Sequence, residues 1–225
     1  LRVLFILLKI VVRIIYLLYL MNSKVDFIMN VPNKITICRI ILSILLIVLM
    51  IFPMNRIGLD FPEFQINGKI IMDSKYVICG IIFVVASLTD FLDGHLARKY
   101  NLVTDIGKVM DAIADKILVN AVLIVLAVNG YISVVVPVVI VSRDIIVDSI
   151  KMVAGQKSGA VGASKTGKIK TACMMSGITL LFFYNLPFSL ININPARALI
   201  MIATVLSVIS GVEYYVKNKK YLINN

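Results

Sequence analysis

The chain has 225 residues, of which 60% are hydrophobic and 16% charged, with a mean hydropathy of +0.98. These values exclude an ordinary water-soluble domain and point to an integral membrane protein. The formal charge of +11 invites a nucleic-acid reading, but the lysines and arginines lie in short stretches between long apolar runs, the pattern that sets topology and meets anionic headgroups. No nucleic-acid partner is expected.

Residues 1–28 stand apart. In "LRVLFILLKIVVRIIYLLYL" the residues Arg2, Lys9 and Arg13 fall on one helical face, which predicts an interfacial amphipathic helix lying on the inner leaflet. No chemistry is expected in this leader. Residues 29–225 read as one all-α integral membrane domain with six transmembrane helices, at about 35–54, 76–98, 105–128, 131–153, 170–190 and 195–216, each near the ~20 apolar residues a span needs.

Loop charges support this layout. Lys24, Lys34 and Arg39 lie on the approach to the first span, Arg98, Lys99 and Lys108 around the connection of the second to the third, and Lys151, Lys157, Lys165, Lys168 and Lys170 around that of the fourth to the fifth. Lys217, Lys219 and Lys220 follow the sixth, while the alternate connections are poorer in cations. Both ends then face the cytoplasm. Cys38, Cys79 and Cys173 lack metal-ligand spacing and read as buried thiols, and the single histidine, His95, has no partner histidine or cysteine.

The rare carboxylates cluster in "DFLDGHLARKYNLVTDIGKVMDAIAD". On a helix, Asp90, Asp93, Gly94 and Ala97 form one stripe, and Gly107, Asp111 and Asp115 form a second. The connection between them is short and polar, so the two helices should be antiparallel neighbours. Asp90 and Asp115 are centred on the same turn as Asp93 and Asp111, so four carboxylates converge roughly 10 to 15 Å below it, given a rise of 1.5 Å per residue.

Four acids at that depth need compensation. Oxygen-only ligation selects hard divalent cations, Mg²⁺ or Mn²⁺, and four acids can hold two ions that share a ligand, an arrangement suited to phosphoryl or phosphatidyl transfer. The plainer reading is structural pairing with Arg98, Lys108 and Lys116. A third is a divalent-cation carrier. Asp105 falls outside the pattern and reads as an N-terminal helix cap.

The stretch resembles the signature of the CDP-alcohol phosphatidyltransferases, D-x-x-D-G-x-x-A-R, eight residues, G-x-x-x-D-x-x-x-D. Every fixed position is filled by Asp90, Asp93, Gly94, Ala97, Arg98, Gly107, Asp111 and Asp115. The resemblance implies a six-helix membrane enzyme, a homodimer, that moves a phosphatidyl group from CDP-diacylglycerol to an alcohol and releases CMP. It implies that Asp90, Asp93, Asp111 and Asp115 hold two metal ions and that Asp115 is also the general base. Gly94, Ala97, Arg98 and Gly107 would bind the nucleotide, with Pro32, Asn33 and Thr36 of "NVPNKITICRI" at its edge. The residue types suit those roles: glycine and alanine leave room for a flat base, and arginine offers a planar fork to phosphate oxygens.

"NVPNKITICRI" and "GASKTGKIKTA" resemble the branch of the family whose acceptor is glycerol 3-phosphate. Inositol phosphate and serine are the alternative acceptors. An anionic acceptor needs cations, and Arg143, Lys165, Lys168 and Lys170 are the candidates for its phosphate. Arg143 lies in the apolar run "VVIVSRDIIVDSI", where a charge requires a reason. Internal pairing with Asp144 or Asp148 is the competing explanation.

Overall fold

The structure is a computed structural model. It describes residues 31–53, 58, 61–66, 70–99, 105–158, 164–191 and 193–223. At positions 31–34, 66, 70, 91–99, 105, 106, 108, 156–158, 220, 222 and 223 the description covers the backbone alone. The expected leader helix, 1–28, lies outside the described residues.

Six α-helices are present among the described residues: α1 (Val31–Ile51), α2 (Ser74–Lys99), α3 (Asp105–Val128), α4 (Val135–Ser158), α5 (Lys165–Phe182) and α6 (Pro195–Ile223). They match the six apolar runs in order. The all-α expectation is corrected in one place, where β1 (Glu63–Ile66) and β2 (Ile70–Asp73) form an antiparallel pair with Glu63 opposite Asp73 and Ile66 opposite Ile70. The hairpin leads into α2, whose start is fixed by Asp73: its carboxylate accepts the Lys75 backbone N–H at 2.7 Å, an N-cap. Lys75 Nζ then reaches back to the carbonyls of Met50 and Phe52, each at 3.2 Å, answering acceptors that α1 leaves open at its C-terminus.

The chain divides into two units, residues 1–121 and 122–225, with the boundary inside α3. In the first, α1 packs on α2. The inward stripe of α1 is Thr36, Arg39, Leu42, Ser43, Leu46 and Leu49, and that of α2 is Cys79, Ile82, Phe83 and Ala86. Both follow the three- and four-residue steps of a helix face. Cys79 is buried as expected, whereas Cys38 and Cys173 are only half-buried.

In the second unit, α4 and α5 both pack on α6. The inward residues of α6 are Ala196, Ile200, Ala203, Ser207, Ser210 and Tyr214. Small residues at four of these positions let backbones approach closely, which is how helices associate where the surroundings are themselves apolar. The α5–α6 turn is secured by Asn185, whose Oδ1 accepts the Ala196 N–H at 3.0 Å and whose amide donates to Asn194 at 2.5 Å.

The outward faces are also apolar. Ile44, Val48 and Ile51 on α1, and Met201, Val205, Val208, Val212 and Val216 on α6, are exposed at helical spacing, where a water-soluble bundle would carry charge. Among the described residues one helix, Pro195–Lys219, is long and apolar enough to cross a membrane by length and composition, and Ile35–Ile51 is a shorter apolar helix. The expectation of six spans is thus met in helix number but not in uninterrupted apolar length. Charges interrupt the remaining four: Lys75, Asp90, Asp93, Arg98 and Lys99 in α2, Asp111, Asp115 and Lys116 in α3, Arg143, Asp144, Asp148 and Lys151 in α4, and Lys165, Lys168 and Lys170 in α5.

Candidate active site

The inward stripes of α2 and α3 each carry acidic residues at one end. On α2, Phe83 and Ala86 are followed at the next turn by Asp90, and on α3 the stripe of Ala114 and Leu118 begins with Asp111 and Asp115. The helical phase that buries the apolar residues therefore aims these carboxylates inward. Asp115 and Gly107 are half-buried on α3.

Asp90 and Asp111 meet on a single cation. Nη1 of Arg39 contacts Asp90 Oδ1, and Nη2 of Arg39 contacts Asp111 Oδ1. The arginine side chain is fully buried, whereas those of Asp90 and Asp111 are 36% and 47% exposed. The two halves of the aspartate motif, one on each helix, are thus joined through α1. The link joins Asp90 with Asp111, which is neither of the pairs, Asp90 with Asp115 and Asp93 with Asp111, that the mirror spacing levels.

Arg39 is the residue that sequence reasoning missed, having been counted only among the loop charges. Its signal was available: it lies one helical turn after Thr36 and one before Ser43, on the stripe that buries α1. A charge on such a stripe needs a partner. Thr36 itself is buried, 3% exposed. Asp93, Gly94, Ala97 and Arg98 lie in the last turns of α2, and Pro32 and Asn33 in the first turn of α1, but their side chains fall outside the described residues.

The candidate metal ligands fit a hard cation in donor chemistry, being oxygen-only, and Asp90 and Asp111 already converge on one positive group. Among the described residues no group of three or more His, Cys, Asp or Glu side chains could hold a metal ion; that set does not include the side chain of Asp93.

The second cluster lies in the second unit. Arg143 continues the inward stripe of Val136, Ile140, Val147 and Ile150 on α4. Its side chain crosses Gly211, where an added Cβ would lie 3.2 Å from Arg143 Cγ. Nε donates to the Ser207 carbonyl at 2.9 Å, Nη2 to Ser210 Oγ at 2.6 Å, and Nη1 to Asp144 Oδ1 at 2.9 Å. Lys170 donates to the same Asp144 oxygen at 2.8 Å. Two cations therefore share one carboxylate, which leaves the trio with an excess positive charge. The internal pairing anticipated for Arg143 is present, and its partner is Asp144.

Tyr214 closes this cluster. Its ring lies 5.9 Å from the Arg143 guanidinium and 5.0 Å from Lys151 Nζ, within cation–π range. Its hydroxyl accepts the backbone N–H of Ser164 at 2.9 Å, while Ser164 Oγ caps α5 by accepting the Gly167 N–H at 3.0 Å. Thr166 adds a hydrogen bond to Glu213 at 2.7 Å. Lys165 and Lys168, in the opening turns of α5, are exposed. Cations there oppose the positive end of the helix dipole and leave that end attractive to an anion. The structure therefore joins Arg143 and Lys170 through Asp144 and leaves Lys165 and Lys168 facing outward.

Comparison with known proteins defines the class. The family model described as CDP-alcohol phosphatidyltransferase matches residues 29–210, and the chain belongs to that family of transferases. The CDP-diacylglycerol–glycerol-3-phosphate 3-phosphatidyltransferase of Bacillus subtilis is 36% identical over 84% of this chain and 95% of its own length. The protein of the same description from Rickettsia felis is 32% identical over 85% of this chain and 97% of its own length. A crystal structure of the phosphatidylinositol phosphate synthase of Mycobacterium tuberculosis in its apo form superposes with a TM-score of 0.53 at 19% identity, covering 87% of this chain and 94% of that one, a likeness of fold.

Proposed function

We propose that the protein transfers the phosphatidyl group of CDP-diacylglycerol to glycerol 3-phosphate, giving phosphatidylglycerophosphate and CMP. The observation that carries this reading is the convergence of Asp90 on α2 and Asp111 on α3 upon one cation, since the chemistry needs both halves of the aspartate motif at one place. The names of the Bacillus and Rickettsia relatives favour glycerol 3-phosphate as acceptor.

In this reaction a hydroxyl oxygen of the acceptor bonds to the phosphorus that carries diacylglycerol. The P–O bond to the cytidylate breaks, and CMP leaves with the bridging oxygen. Asp115 accepts the proton of the attacking hydroxyl, which raises the nucleophilicity of its oxygen as the new bond forms. Asp90, Asp93, Asp111 and Asp115 would hold two divalent ions, Mg²⁺ or Mn²⁺, which when bound supply charge neutralisation for the pyrophosphate and the leaving oxygen. Gly94, Ala97 and Gly107 give the nucleotide close access to the helices, with Pro32, Asn33 and Thr36 at its edge. Arg98 meets its phosphates.

Lys165 and Lys168, with the excess positive charge on Arg143, Asp144 and Lys170, form the cationic ground for the acceptor phosphate. The protein works within the membrane as a homodimer, its six helices spanning the bilayer and its site facing the cytoplasm. The apolar outward stripes and the loop charges support the spanning and the orientation. The test is an acceptor panel with purified protein and CDP-diacylglycerol, reading CMP. Release with glycerol 3-phosphate is expected; release only with inositol phosphate or serine rejects this acceptor, and no release with any alcohol rejects the enzyme reading.

A further inference from the structure

We propose that Arg39 is a positioning residue that sets the carboxylates of Asp90 and Asp111 for cation binding; the inference rests on the reading that these carboxylates hold a divalent ion. A guanidinium buried without exposure is retained only when its charge is answered. Arg39 is answered by two acids from two different helices, through two different nitrogens. The planar fork of arginine can make both contacts at fixed angles, which a lysine ammonium cannot do.

The burial is one-sided. Arg39 lies wholly inside the helix packing, and each carboxylate is one-third to one-half exposed while giving its Oδ1 to the arginine. Arg39 therefore grips both acids from behind, and the open side of each carboxylate faces outward. Groups that hydrogen-bond to ligating carboxylates orient them and commonly govern metal affinity. Arg39 also links α2 and α3 in this region, since its two terminal nitrogens reach one acid on each.

The sign of one measurement decides the matter. Were Arg39 a mere counter-charge that competes with metal, its removal would tighten divalent-cation binding, because the acids would become more strongly anionic. Positioning requires the opposite. The experiment measures Mn²⁺ binding by electron paramagnetic resonance to the full chain in detergent micelles, without lipid substrate, for the wild type, Arg39→Gln, Arg39→Lys and Leu46→Ala. Leu46 lies two turns along the same buried stripe of α1 and controls for general loosening of the packing.

The expected result is a loss of about 10- to 100-fold in Mn²⁺ affinity for Arg39→Gln, a smaller loss for Arg39→Lys, and a change within about twofold for Leu46→Ala. Equal or tighter binding by Arg39→Gln overturns the proposal, as does an equal loss in Leu46→Ala. If Arg39→Gln does not fold, the comparison of Arg39→Lys with wild type decides by the same sign. Absence of Mn²⁺ binding in the wild type itself rejects the metal reading, and this inference with it; that outcome is recognised by the wild-type protein failing alongside the variants.

Discussion

Gly177 on α5 faces Ile200 on α6 so closely that a Cβ added at Gly177 would lie 2.7 Å from Ile200 Cγ1 and 3.2 Å from the Ala196 carbonyl oxygen. The second neighbour is backbone and cannot swing away, so α5 and α6 are held at a separation that only glycine permits at this point. Gly177→Ala is expected to lower stability by about 1–3 kcal/mol, the usual range for overpacking. Gly155 on α4 meets nothing within 4 Å, so Gly155→Ala should be neutral or stabilise by up to about 1 kcal/mol through helix propensity. Thermal unfolding of both variants in detergent checks the pair; equal midpoints would remove the close approach as a determinant.

Asp144 answers both Arg143 and Lys170 through one oxygen, and all three side chains are mostly buried. Asp144→Asn leaves two cations without their shared anion, a change that costs about 3–5 kcal/mol when a buried pair loses one partner. Adding Lys170→Met should recover part of the loss, because the variant then buries one unanswered cation fewer. A double-mutant cycle on unfolding free energies measures the coupling, and strict additivity would show that the carboxylate serves only one of the two.

Much of this arrangement was legible in the sequence because two independent patterns agree there. Apolar runs set the six helices, and the spacing of Asp90 and Asp111 gave the faces that the structure brings to Arg39. Arg39 escaped because charge counting assigns every basic residue near a span to topology, although Thr36, Arg39, Ser43 and Leu46 together mark a buried face. The hairpin escaped because its strands have four residues each, too short for alternation to stand out. The dipeptide Asn67-Gly68 between them is the available signal. Arg143 was the reverse case: its place in an apolar run announced a buried charge, but whether Asp144 or Asp148 would answer it depended on helix rotation, and the structure pairs it with Asp144.

Lys165 and Lys168 are exposed at the start of α5, so their contribution to an anionic acceptor should be modest and salt-sensitive. Lys165→Gln and Lys168→Gln are each expected to raise the KM for glycerol 3-phosphate by about two- to fivefold, the scale of an exposed ion pair worth up to about 1 kcal/mol. The KM for CDP-diacylglycerol should stay as it is. Raising the ionic strength should narrow the gap between wild type and variants. An unchanged acceptor KM in both would move the acceptor phosphate away from this end of α5.

Asp115 and Asp93 carry different duties in the proposed chemistry, and conservative amides separate them. Asp115→Asn keeps a side chain of the same shape but cannot accept the proton of the acceptor hydroxyl, so CMP release should fall by about 10²- to 10⁴-fold, the range for a lost general base. CDP-diacylglycerol binding, read by equilibrium titration, should persist, because the nucleotide contacts assigned to Gly94, Ala97 and Arg98 are untouched. Asp93→Asn removes one anionic ligand and should shift the Mg²⁺ or Mn²⁺ concentration needed for half-maximal rate upward, with partial recovery at saturating metal. The contrast is the diagnostic: Asp115→Asn removes a ligand as well as the base, so its loss of rate persists at saturating cation, whereas that of Asp93→Asn is largely recovered. Normal turnover in Asp115→Asn would assign the proton to another group, and an unaltered metal requirement in Asp93→Asn would take that residue out of the ligand set.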